Sequence, residues 1–195
     1  MTNTNIDYKL KAGDVGLVSS TGFLPKAIKF FMSFYMNKLK LEKRKVYNHV
    51  FTVVEIWGET FVAESLVDGY NIRPVTTYLV DGQLRGDVKI RTPKKDYTKE
   101  ERDLISKYAT MFTFHPTRYD YFALLHQLWY AVTLKWKGKE GKEAMGRLYC
   151  SESHATLANM VRPATFKNAA TTNPFDIDIN KYYVDIETKK NRAVK

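Results

Sequence analysis

Apolar and polar residues change period several times along this chain, and the changes mark out its elements. "GDVGLVSS" (13–20) is a short apolar run entered through Gly-Asp, the pattern of a strand reached through a turn. Over 22–40 the period becomes helical. Leu24, Ile28, Phe31, Met32, Tyr35 and Leu39 recur at three- and four-residue spacing, with Pro25 tolerated in the first turn. That stripe predicts a core-facing helix, but Phe30, Phe34 and Met36 broaden it and lysines flank it, so a lipid-facing or substrate-facing surface stays open. "YNHVFTVVEIW" and "ETFVAES" are β-rich and lie either side of Gly58, which predicts an antiparallel hairpin.

"GDVKIRTPK" (86–94) predicts a third strand ended by Pro93. Thr98 and Glu101 have capping-box spacing and open the helix "KEERDLISKYATMF"; "YDYFALLHQLWYAVTLKW" continues as a strongly apolar second helix. "KGKEGKEAMG" reads as a loop. A helix then runs from about Cys150 to Met160, stopping before Pro163, and "FDIDINKYYVDIE" closes the chain as an alternating strand. Strand, helix, several strands, helices and a last strand, with no internal repeat, predict the α+β class.

With 195 residues, 44% of them hydrophobic, the chain can build one well-packed core. A single domain is expected over 1–195, with its core at about 12–180 and a polar, basic C-terminal tail. The lone cysteine excludes an intramolecular disulfide and fits a reducing compartment. The first residues, "MTNTNIDYKLKAGD", hold no apolar segment, and no stretch approaches the roughly 18 apolar residues of a membrane span. The expectation is a soluble protein without signal peptide or transmembrane segment, cytoplasmic or particle-associated. A net charge of +10 suits nucleic acid, anionic lipid or acidic wall polymer. Yet the basic runs at 38–45, 135–142 and 189–195 accompany no nucleic-acid motif and read as solvated surface, so sequence-specific nucleic-acid binding is not expected.

"RLYCSESHATL" (147–157) carries the chemistry. A cysteine attacks as thiolate, which a helix N-terminus and a neighbouring imidazolium both favour. Ser151 and Glu152 fall in a first turn and Ala155, Leu157, Ala158 and Val161 follow along a helix, placing Cys150 at or near its N-cap, where orphan amides can also hold an oxyanion. The competing reading is a small buried hydrophobe. Among four histidines His49 is best placed to act as base, because strand pairing fixes its direction. A four-residue loop, Glu55–Gly58, sets it directly opposite Glu64 with Cβ atoms about 5 Å apart, so the carboxylate orients the ring. A two-residue loop at Gly58-Glu59 moves the pair roughly 13 Å out of register and breaks it. His154, four residues past Cys150, raises a zinc alternative with His49 and Glu64, but no metal-ligand spacing supports it and solvent exposure accounts for His154. His126 reads as a satisfied helix histidine, His115 as a loop residue and Asp14 as a turn residue supporting the first strand.

Taken in order, "GDVGLVSS", "NHV", "FVAES", "YDY" and "YCSE" resemble the YiiX/YebB-like branch of the NlpC cell-wall peptidase superfamily, the circularly permuted papain-like hydrolases, over about residues 12–180. The resemblance implies a permuted papain-like fold with the cysteine heading a helix packed on an antiparallel sheet. It implies Cys150 as nucleophile, His49 as base, Glu64 as orienting residue, and Tyr149, with Ser151 beside it, at the substrate. It implies a cysteine hydrolase or acyl-transferase that needs no cofactor and acts on an amide or ester, in a peptidoglycan peptide or a lipid-linked substrate. The basic inserts at 38–45 and 135–142 and the missing leader depart from that pattern. They fit a rival of another class, a non-catalytic module on the same fold, such as a virus-particle component that assembles through its basic inserts.

Overall fold

The computed structural model describes residues 9–21, 23–40, 44–81, 83–114, 125–126, 129–130, 132–133, 135 and 148–186. Its centre is a sheet of six strands: β1 (Val15–Val18), β2 (His49–Ile56), β3 (Glu59–Leu66), β4 (Gly69–Pro74), β7 (Val88–Pro93) and β8 (Tyr183–Asp185). The spatial order is β4-β3-β2-β1-β7-β8, and every neighbouring pair is antiparallel. A small hairpin of β5 (Leu79–Val80) and β6 (Gln83–Leu84) forms a separate two-stranded sheet. Because β1 lies between two strands and is covered on both faces, all four of its residues are buried and its sequence shows no alternation.

The register sorts the core into two layers. Val15, Leu17 and Val50 point to one face and pack with Cys150, Ala155 and Ala158 of α3 (Cys150–Val161), while Val54 and Ala63 meet Ile105 and Ala109 of α2 (Lys99–Phe114) on the same side. Val18, Phe51, Val53, Val62 and Ile90 point the other way, under Tyr78, Leu79 and Leu84. Helix α1 (Phe23–Lys38) forms its own cluster: Ile28, Met32, Tyr35 and Met36 pack against Phe175. The core-facing stripe therefore includes Met36 and leaves Phe30 and Phe34 exposed. The Thr98–Glu101 capping box opens α2 as expected, with reciprocal bonds of 2.7 and 3.2 Å.

Three expectations need correction. The hairpin turns through Trp57 and Gly58, both with positive φ (53° and 81°), so Ile56 pairs with Glu59 and the loop has two residues rather than four. An extra strand, β4, follows the Asp68-Gly69 turn. "FDIDI" is helical, as α4 (Pro174–Ile179), because Asn173 and Asp176 close a capping box around Pro174 at the first position, leaving only Tyr183–Asp185 as strand. The loop expected at 137–146, more than half of the second apolar helix and most of the basic runs lie outside the described residues.

Candidate functional site

Three elements bring the site together. Cys150 is the first residue of α3, after an extended N-cap residue, Tyr149 (φ −96°, ψ 168°), that makes no side-chain cap. The helix's first internal bond runs from the Ser153 amide to the Tyr149 carbonyl at 2.9 Å. Amides ahead of it have no carbonyl within the helix and give this end its partial positive charge. His49 opens β2, at the end of the sheet, and Glu64 lies near the end of β3. The observed register sets Glu64 opposite Phe51, hence diagonal to His49 rather than facing it. A glutamate side chain spans that diagonal: His49 Nε2 and Glu64 Oε2 are 2.6 Å apart.

Glu64 has no exposed surface. Its Oε2 also accepts the Tyr78 hydroxyl at 2.7 Å, and its Oε1 accepts the Arg73 guanidinium at 3.2 Å. Burial works to raise the carboxyl's pKa, but the bond and charge of His49, the Tyr78 bond and the Arg73 charge outweigh it and hold the group below its usual value. Tyr78 lies flat on Phe51, ring centroids 4.4 Å apart at 15°. Beneath, Phe51 sits directly over Gly16, its pairing partner on β1, where any Cβ would run into the ring.

Burial alone would lower the His49 pKa. Hydrogen bonding and charge from Cys150 and Glu64 win, and push it up to about 10, so the ring holds its proton through the neutral range. With Nε2 on Glu64, Nδ1 is the nitrogen left for the thiol. Cys150 is 6% exposed and belongs to the core cluster under β1 and β2, so it is at once a packing residue and a neighbour of the imidazole.

Tyr149 and Ser151 are not placed to meet a substrate with their side chains. Both are buried; the Tyr149 hydroxyl is 2.6 Å from the Ala170 carbonyl and 3.0 Å from that of Thr172, and Ser151 Oγ donates to Thr172 at 2.9 Å. They fasten the 169–172 loop beneath the helix start. His154 is buried rather than exposed, bonded through Nδ1 to Thr52 (2.9 Å) and through Nε2 to the Tyr183 hydroxyl (3.1 Å), and burial pushes its pKa down to about 3. Asp14 is the turn residue expected, its carboxylate accepting the Lys11 amide at 2.9 Å. His126 is half-buried on a helical segment, and His115 lies outside the described residues.

Sequence reasoning missed Arg73, Tyr78 and the Phe51–Gly16 contact. The Asp68-Gly69 pair was a usable signal for β4 and so for Arg73; nothing local points to Tyr78. Among the described residues no three His, Cys, Asp or Glu side chains are grouped to hold a metal, and no helix is long and apolar enough to cross a membrane.

No family model and no curated protein sequence matches the chain. The fold is shared with a solved structure, metalloprotein yiiX from Escherichia coli O157:H7, at a TM-score of 0.50 and 12% identity, over 91% of this chain and 97% of that one.

Proposed function

We propose that the chain is a cysteine hydrolase or acyl-transferase acting on an amide or ester bond, on a permuted papain-like scaffold of the NlpC type. Cys150 is the nucleophile, His49 its acid and base, and Glu64 the group that orients the imidazole. One observation carries this reading: the His49 imidazole is held at 2.6 Å by a fully buried carboxylate and neighbours a cysteine at a helix mouth.

The thiolate adds to the carbonyl carbon and the carbonyl pair moves onto oxygen, where the first-turn amides of α3 hold the charge. Collapse expels the amine or alcohol, which takes the imidazolium proton and leaves an acyl-thioester. Water or an acceptor then gives a proton to the neutral imidazole as it attacks, and the thiolate departs. Glu64 keeps its charge throughout and stabilises the imidazolium.

The yiiX structure is named a metalloprotein, and the donor set here does not suit a metal. His49 lies between the other two groups, so the three donor atoms do not converge on one point. The Arg73 cation occupies the carboxylate oxygen that His49 leaves free. The substrate class carried forward is an amide or ester on a peptide or lipid, with anionic wall polymer favoured by the +10 charge.

The test combines turnover of p-nitrophenyl butyrate with iodoacetamide labelling. Cys150→Ser abolishes turnover, a loss of about 10³-fold or more, while unfolding shifts by no more than roughly 1–2 kcal/mol. His49→Ala slows labelling of Cys150 at neutral pH by about tenfold or more. Full turnover in Cys150→Ser removes the thiol from the mechanism. Labelling of the folded protein no faster than of the denatured chain favours the non-catalytic assembly module.

A further inference from the structure

A cleft lies at the far end of α3, away from Cys150. Strand β1 runs antiparallel to both β2 and β7; Val18 pairs with His49 and with Val88, so Pro93, the last residue of β7, lies at the opposite end of the sheet from His49. Helix α3 spans the same distance, its 12 residues covering about 18 Å from Cys150 to Val161. There a cleft of about 430 Å³ opens between the end of β7, the residues after α3 and the turn before β8, lined by Lys94, Lys95, Arg162, Lys181, Tyr97 and Tyr182 among others.

Hydrogen bonds to backbone carbonyls fix its walls. The Lys94 amide donates to the Tyr182 carbonyl at 2.8 Å, and Asn180 Nδ2 donates to the Thr165 carbonyl at 3.0 Å. The charge is one-sided, because no lining residue is acidic. Arg162 is already committed: its guanidinium bonds both oxygens of Glu101 (2.7 and 2.6 Å) and the Lys95 and Asp96 carbonyls, and lies 4.2 Å over the Tyr97 ring. Glu101, the acid that faces Lys95, is therefore taken up elsewhere. Lys94, Lys95 and Lys181 are exposed, and among the described residues none of them makes a salt bridge. The carbonyl end of α3 opposes an anion with about half a charge, against three whole ammonium charges.

We infer that this cleft is a binding site for a phosphorylated organic molecule of about nucleotide size, separate from the Cys150 site. A carboxylate would be best recognised by a bidentate arginine, and the one arginine present is engaged; three lysines lining one cleft, with the Lys181 ammonium 5.7 Å over the Tyr182 ring, suit the multiple charge of a phosphate or pyrophosphate. Free phosphate alone would leave most of the volume empty, whereas an organic portion fills it against Tyr97 and Tyr182.

The experiment is calorimetric titration of the full chain with ATP and, separately, inorganic pyrophosphate at low and moderate salt. The expected result is saturable binding at one site. The combined substitution Lys94→Ala, Lys95→Ala, Lys181→Ala weakens it by about 20-fold or more, whereas Lys26→Ala, Lys40→Ala, Lys107→Ala, an equal change of charge at exposed positions elsewhere, changes it by less than about threefold. ATP is expected to bind more tightly than pyrophosphate, because only ATP fills the cleft against the tyrosine walls; equal binding of the two overturns the assignment of an organic ligand. Equal losses in the two triple variants, or no saturable binding of either probe, overturn the inference. The readout does not involve Cys150, so it stands or falls apart from the proposed catalysis.

Discussion

Glu64 has no contact with water, so its charge rests on three donors: His49, Tyr78 and Arg73. Glu64→Gln keeps an acceptor for the imidazole but turns an NH₂ toward one donor and removes the charge that the imidazolium and the guanidinium share. Expected outcomes are a partial loss of turnover, about 10- to 100-fold, and about 1–3 kcal/mol lower stability in urea unfolding. Tyr78→Phe isolates one donor; its ring stays on Phe51, and the loss should be near 1 kcal/mol with a several-fold rate decrease. His154 makes a pH prediction. Its folded pKa is depressed to about 3, below roughly 6.5 unfolded, so the unfolded chain binds the extra proton and stability falls with pH across that window. Asp176, raised to about 6 by burial, pulls the other way between about 4 and 6. The difference between wild type and His154→Gln removes that compensation and should change by about 1.4 kcal/mol per pH unit from pH 6.5 downward. A flat difference would mean that the histidine is solvated. Cys150, His49 and Glu64 could be chosen as candidates in the sequence because each residue type announces its chemistry. The burial of His154 was not: its partners, Thr52 and Tyr183, are 102 positions before it and 29 after it.

At the scale of elements, the turn at Trp57-Gly58 fixes which residues meet. Strand identity was readable from composition, but loop length was not, because Trp57 takes a left-handed conformation that aromatic residues rarely adopt. The helical reading of "FDIDI" was hidden likewise: apolar residues at 175, 177 and 179 alternate as a strand does, and only the Asn173–Asp176 box selects the helix. Gly58 and Gly16 offer contrasting tests. Nothing lies near a Cβ added at Gly58, so Gly58→Ala meets only positive-φ strain, about 1 kcal/mol. Gly16→Ala drives a methyl into the Phe51 ring, which supports Tyr78 and through it Glu64. It should lower stability by about 1–3 kcal/mol and reduce turnover as well, although it touches none of the reacting groups. Unchanged turnover in a folded Gly16→Ala would show that Tyr78 does not hold Glu64 in place.

Over the whole molecule, strand order was the least legible feature. Neighbours β2, β3 and β4 follow one another along the chain, and hairpin signals mark them. Pairing of β1 with β7 joins residues such as Val15 and Arg91, and β7 with β8 joins Arg91 and Asp185, distances no local pattern encodes. That same arrangement dictates an order of events. The β2–β3–β4 meander closes short loops and can form early, whereas α3 and β8 must come back across most of the chain, at a larger cost in loop-closure entropy. His49 and Glu64 are therefore expected to meet in the nascent meander before Cys150 is placed. In kinetic terms, Val53→Ala should chiefly slow refolding, and Tyr183→Phe should chiefly accelerate unfolding. A chain still in transit to the native state would have its carboxylate and imidazole paired but its thiol far away, and the thiol would reach them only as the last quarter of the protein docks.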